Sequence, residues 1–157
     1  MKVNAKRLLL AILLCQIVGN LGSFFTFPAL ASWYGTLHKP AFTLPNWVFA
    51  PAWLTLYTLM GVSLYLVWEK EKRNRKVRKA LMIFSIQLAL NFLWSFLFFG
   101  LRSPLYGFAG IFFLWLAIII TTVEFFKISR NAGALLLPYI SWVSFALILN
   151  LYIFLLN

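Results

Sequence analysis

The residues able to do chemistry in this chain are aromatic rings and a few amides. Between Trp33 and Trp53 lie three Trp, one Tyr, two Phe and three Pro in twenty-one residues, with Lys39-Pro40 near the centre. Further on, Trp53 and Tyr57 sit one helical turn apart. Trp94 falls beside Asn91 and Ser95, and Trp142 is in step with Tyr139, Ala146 and Asn150. Gln16, Asn20 and Ser23 recur at i, i+4 and i+7. Each set makes one face of a helix. Trp53, Trp94 and Trp142 are bulky for a closely packed core, so they are expected to wall a cavity. The amides Gln16, Asn20, Gln87, Asn91 and Asn150 suit such a wall or interhelical hydrogen bonds equally well. Rings with a few polar groups favour a flat, largely apolar ligand.

Other chemistry lacks its parts. The chain has no Asp, and its three Glu (Glu69, Glu71 and Glu124) fall outside the apolar centres or at their ends. Acid–base catalysis by paired carboxylates is excluded, as is a Ser-His-Asp arrangement. One His (His38) and one Cys (Cys15) cannot assemble a zinc site, so no metal and no resident cofactor is expected. No acid lies mid-segment to carry a proton, and no Lys to form a Schiff base.

The elements that must hold these rings are set by composition. The chain is 157 residues, 63% hydrophobic and 11% charged, against about 25% charged for a soluble domain. Five stretches are long and apolar enough to cross a bilayer, which takes about 20 residues. Backbone groups in hydrocarbon must be satisfied internally, so these stretches are helices. The expected fold is all-α: one membrane domain, a bundle of five transmembrane helices at about 8–28, 46–68, 80–101, 104–126 and 131–155. The first stretch follows Lys2, Lys6 and Arg7 but is too long for a signal core, so a retained helix is expected. It should end near Pro28. Asn46 is the expected cap of the second helix. Ser103 and Pro104 should start the fourth, and Pro138 should kink the fifth. The fourth, with little polar in its middle, is expected to face lipid most.

The net charge of +11 would suggest nucleic acid in a soluble protein, but its placement points elsewhere. Lys2, Lys6, Arg7, Lys70, Lys72, Arg73, Arg75, Lys76, Arg78, Lys79, Lys127 and Arg130 all fall on one side of the bundle, and only Lys39 and Arg102 on the other. That asymmetry predicts a cytoplasmic N-terminus and an outer C-terminus. The partner of the basic side is membrane lipid with anionic head groups, and no nucleic acid is expected. The Trp33–Trp53 connection then lies outside, as an aromatic lid. Lys39 and Arg102, the lid-side cations, are placed to meet ligand carboxylates or to anchor at the interface. Sterols and tetrapyrroles have the required shape.

These motifs resemble one family. Trp33-Tyr34, Leu37, Lys39-Pro40, Phe42, Pro45 and Phe49-Ala50-Pro51-Ala52-Trp53 with Tyr57 match its first loop and second helix. Leu90-Asn91-Phe92-Leu93-Trp94-Ser95-Phe96-Leu97-Phe98-Phe99 matches its third helix. Leu136-Leu137-Pro138-Tyr139-Ile140-Ser141-Trp142 through Ala146 and Asn150 matches its fifth. Over nearly its whole length the chain is similar to the TspO/MBR family, the tryptophan-rich sensory proteins and the translocator proteins or peripheral benzodiazepine receptors. The resemblance implies a five-helix bundle, commonly a homodimer, binding tetrapyrroles such as protoporphyrin IX and benzodiazepine-type ligands. By motif position it implies a pocket of Trp53, Tyr57, Asn91, Trp94, Ser95, Trp142 and Ala146, covered by Trp33, Tyr34, Lys39 and Pro40. It leaves a receptor or carrier, a small-molecule transporter, and a light- and oxygen-dependent porphyrin-degrading enzyme with Trp53 and Trp142 as its catalytic candidates. Cholesterol does not carry over: the recognition pattern needs a Lys or Arg after its Tyr, and Tyr152 is followed only by Ile153-Phe154-Leu155-Leu156-Asn157. On the residues alone, small side chains offer two dimer faces: Gly107, Gly110 and Ala117 on the fourth helix, and Ser85 with Ala89 on the third.

Overall fold

The computed structural model describes residues 3–70 and 74–157. Lys2, Lys72 and Arg73 of the charge reading, and the carboxylate of Glu71, lie outside them. Helices account for most of it: α1 (Ala5–Ala31), α2 (Asn46–Trp68), α3 (Arg75–Ser95), α4 (Pro104–Phe126), α5 (Arg130–Leu135) and α6 (Leu137–Leu156), with no strand among the described residues. A 3-10 turn at Tyr34–Thr36 lies in the first connection, and a π-helical turn at Phe96–Gly100 extends α3. Counting α3 with its extension and α5 with α6, five spans are long and apolar enough to cross a bilayer. The chain is therefore a multi-pass integral membrane protein.

Local signals start the helices. Asn4 Oδ1 accepts from Arg7 N (3.2 Å), Asn74 Oδ1 from Lys76 N (2.9 Å) and Ser103 Oγ from Tyr106 N (3.3 Å), each satisfying an otherwise orphaned donor. Pro104 follows Ser103 at the first helical position, where its missing N–H costs nothing. Asn46 is already helical, and Pro45 stands before it at the cap position. α1 does not stop at Pro28 but runs to Ala31. A proline one turn from a helix end removes a single bond, and Ser32 Oγ caps the Pro28 carbonyl at 2.7 Å. Pro138 does more than kink the last span. The helix is interrupted at Leu136, so α5 and α6 are separate helices with Pro138 in the first turn of α6.

The fourth helix is not the one most turned to lipid. α4 packs on α3, α5 and α6, and Trp115 Nε1 donates to Ser144 Oγ at 2.9 Å. α1 is the outlying helix: 17% of its most apolar window is buried, against 39% for α4. Mean apolarity did not decide this; small residues did. Gly107 and Gly110 face inward against Phe98 and Leu97, so α4 enters the bundle closely. They are therefore unavailable as a lateral face, whereas Ser85 and Ala89 on α3 point outward. α1 and α2 approach closely at Gly61, where a Cβ would stand 2.5 Å from the Ile12 Cα.

Alternation of the spans collects the described basic residues of the first group at one end. There Arg7 Nη1 meets Glu69 (2.9 Å), and Glu124 accepts from Lys79 (3.2 Å) and Lys127 (2.9 Å). The opposite end carries the aromatic connection.

Candidate functional site

A cavity of about 510 Å³ lies in the half of the bundle toward the aromatic connection, well within the range of about 300–1,000 Å³ that holds drug-sized ligands. α2 supplies Trp53 and Tyr57, stacked at 5.5 Å between ring centroids. α3 supplies Trp94 and Ser95, and Trp94 lies 6.1 Å from Trp53. α6 supplies Trp142, Ala146 and Asn150. The π turn after α3 adds both Phe98 and Phe99. Consecutive residues of an ordinary helix diverge by about 100°, whereas here both rings are buried and pack edge to face at 4.7 Å. α1 contributes its polar stripe, Gln16, Asn20 and Ser23.

Gly19 explains how Tyr57 fits. A Cβ there would lie 2.2 Å from the Tyr57 ring, so only glycine lets the phenol pass behind α1. Beyond Tyr57 runs a buried chain of hydrogen bonds. Tyr57 Oη donates to Asn91 Oδ1 (2.5 Å), Asn91 Nδ2 to Tyr139 Oη (2.7 Å), and Tyr139 Oη to Gln87 Oε1 (3.2 Å). Asn91 thus stands behind the wall and not in it. Trp94 Nε1 reaches Asn150 Oδ1 at 3.4 Å, and Asn150 Nδ2 donates to Ala146 O at 2.9 Å. The indole N–H of Trp142 is itself buried and has no hydrogen-bond partner among the described residues.

The connection between α1 and α2 is folded and attached. Tyr34 is buried and lines the cavity, and burial pushes its phenol up to about 12. Trp33 packs on the outer side of Phe98 (5.4 Å). Lys39 does not face the cavity: its ammonium donates to Tyr34 O (2.8 Å) and Leu37 O (3.2 Å) and lies 4.8 Å over the Tyr34 ring. Carbonyls of an irregular loop need donors, and the nearest cation supplies them. Pro40 makes a turn whose carbonyl accepts from Thr43 N and Oγ1. Phe42 packs edge-on to Tyr152 (5.4 Å), and the side chain of Asn157 bonds both the N–H and the carbonyl of His38. The loop is thus tied to the far end of α6.

Of the residues expected from sequence, Tyr34, Trp53, Tyr57, Trp94, Ser95, Trp142 and Ala146 line one cavity, and Trp33, Lys39, Pro40 and Asn91 support it from outside. Phe98, Phe99, Thr26 and Phe27 line it without having been singled out. Phe98 and Phe99 could be found only by knowing the π turn, since ordinary periodicity would direct one of them away. Gln16 and Asn150 both make interhelical bonds and line the cavity. Gln87 accepts from Tyr139 and does not line the cavity.

Fold and site together define a polytopic membrane protein with an aromatic cavity whose lining, among the described residues, holds no Asp, Glu, Lys, Arg, His or Cys. Residues 11–156 match the TspO/MBR family, and the chain belongs to that family. It is 47% identical to the tryptophan-rich protein TspO of Archaeoglobus fulgidus, over 99% of both chains. It is 45% identical to the protein of the same name from Chlorobaculum tepidum, over 96% of this chain and 95% of that one. It is 38% identical to the human translocator protein, over 82% of this chain and 77% of that one.

Proposed function

We propose that the protein is a membrane receptor or carrier that holds porphyrin-type tetrapyrroles, and benzodiazepine-type drugs, in the cavity beneath the α1–α2 loop. The observation that carries this reading is the wall itself. Three tryptophans from three helices surround a space large enough for a flat ring system. Such walls gain from ring stacking and from removing apolar surface from water, and need no charge to do so. Degradation of bound porphyrin in light, with oxygen as oxidant, is the second reading. It is favoured by the contact of Trp53 with Tyr57 and Trp94, which places oxidisable rings side by side at the cavity. A homodimer through the outward Ser85–Ala89 face of α3 is the assembly we favour, because the small residues of α4 are engaged internally.

The test is purified protein titrated with protoporphyrin IX in the dark, followed by tryptophan fluorescence and porphyrin absorbance, then illuminated. Saturable quenching with stable bands supports the receptor. Loss of the bands in light that requires both Trp53 and Trp142 supports degradation. No saturable binding by protoporphyrin or by a benzodiazepine-type competitor would end the proposal.

A further inference from the structure

The α1–α2 loop is irregular and bonds mostly to itself. Thr36 Oγ1 returns to Trp33 O (2.7 Å), Thr43 Oγ1 to Pro40 O (2.8 Å), and the Lys39 ammonium to Tyr34 O and Leu37 O. Among the described residues, one side chain alone ties residues 34–44 to another element by hydrogen bonds. Asn157, just beyond α6, accepts at Oδ1 from His38 N (3.0 Å) and donates from Nδ2 to His38 O (2.9 Å). The same Nδ2 donates to Ile153 O at 2.8 Å, which fixes the amide on α6. Both groups held in the loop are backbone, so the His38 side chain takes no part.

This amide stands over the cavity without entering it. Tyr34 of the loop and Ile153 of α6 are buried and line the cavity, and Asn157 does not. Lys39 follows His38 and lies 4.8 Å over the Tyr34 ring while binding the Tyr34 carbonyl. A displacement of His38 is therefore carried to the roof ring. Phe42 joins the same helix, edge-on to Tyr152 (5.4 Å) and Phe145 (6.3 Å). The loop is thus fastened along a seam on α6. Its other side rests on Phe98 and Phe99 through Trp33 and Tyr34. Ring contacts of that kind tolerate sliding, whereas two directed bonds at His38 set the register of the seam.

Accepting the cavity as a ligand site, we propose that Asn157 is a positioning residue that latches the loop to α6 and sets how fast a ligand exchanges, not how tightly it is held. Lids open as minor states, and access through a minor state scales with its population. Losing two exposed hydrogen bonds should raise that population about tenfold. The closed loop remains the major state, so entry and exit quicken together and affinity stays.

Two arms separate the latch from the ligand. The first is ligand-free. Ala146→Cys places a thiol in the cavity wall, in a Cys15→Ala background, and its reaction with a charged, membrane-impermeant thiosulfonate is timed in nanodiscs. Phe27 of α1 and Leu54 of α2 line the cavity and are exposed at the flank of the bundle, but a charged reagent cannot reach that flank through hydrocarbon. Adding Asn157→Ala should speed labelling about tenfold. Asn157→Asp, which keeps the acceptor and loses the donor, should speed it less, and His38→Ala should change it less than twofold. Ile118→Cys, buried away from the cavity, should stay unlabelled throughout. A gain below threefold in Asn157→Ala would overturn the latch. So would an equal gain in His38→Ala, or labelling of Ile118→Cys, which would mean a loosened bundle. The second arm follows protoporphyrin IX by stopped-flow quenching with Ala146 in place. Association and dissociation should both quicken about tenfold in Asn157→Ala, with Kd within threefold. Unchanged rates beside faster labelling would overturn the exchange role and send the ligand through the flank between α1 and α2. If protoporphyrin does not bind at all, the tetrapyrrole reading fails, and the labelling arm alone decides the latch.

Discussion

Replacing Asn91 with Leu separates a residue that supports the cavity from one that touches its ligand. Asn91 is 1% exposed and does not line the cavity. Its two bonds, from Tyr57 Oη and to Tyr139 Oη, join α2, α3 and α6. Leu keeps the volume and removes both. Tyr57 then has no acceptor, while Tyr139 keeps its bond to Gln87. Side-chain hydrogen bonds between membrane helices are worth about 0.6 kcal/mol on average and up to about 1.7. Two of them, with one phenol left unpaired, come to about 1–3 kcal/mol. At 1.4 kcal/mol per decade the folded population should fall by roughly five- to a hundredfold relative to unfolded. The assay is reversible unfolding in mixed micelles, with affinity for protoporphyrin IX measured on the folded fraction. Stability should drop by that amount and affinity change by less than about threefold, since the ring wall is intact. A variant as stable as the parent but tenfold or more weaker in binding would show that Asn91 meets the ligand directly and that this account of the network is wrong.

Trp53→Ala and Trp142→Ala should each weaken porphyrin binding by about tenfold or more, as loss of a buried aromatic anchor does. Trp115→Ala, which loses a bond to Ser144 away from the cavity, should lower stability and leave affinity nearly unchanged; equal effects on affinity would misplace the cavity. Gly19→Ala should destabilise by about 1–3 kcal/mol through overpacking against Tyr57, and pairing it with Tyr57→Ala should recover much of that loss in the same unfolding assay. For topology, single cysteines replacing Lys76 or Leu101 in a Cys15→Ala background are treated with a membrane-impermeant thiol reagent on intact cells. The Leu101 site should label and the Lys76 site should not, and the reverse pattern would invert the assignment.

Much of this protein can be read from its residues because a bilayer leaves few choices. Long uncharged runs must be helices, so five spans and their approximate limits follow from composition, as does the gathering of most basic residues at one end of the bundle. The stripes Gln16-Asn20-Ser23, Trp53-Tyr57 and Trp142-Ala146-Asn150 mark inward faces for the same reason: polar and bulky groups are placed by cost. What periodicity could not decide was depth and partner. Asn91 and Trp94 lie on the same helix three residues apart, yet one is behind the wall and the other in it, because Tyr57 passes Gly19 and takes the amide for itself. Phe98 and Phe99 both face inward only because the helix widens by one turn. Lys39 is turned from the cavity by the carbonyls of its own loop. α4, apolar through its middle, is drawn into the bundle by two glycines, while α1, which carries the polar stripe, stays at the rim. Sequence sets which groups must avoid lipid; only packing of the helices against one another decides which of them meet each other and which are left facing an open space.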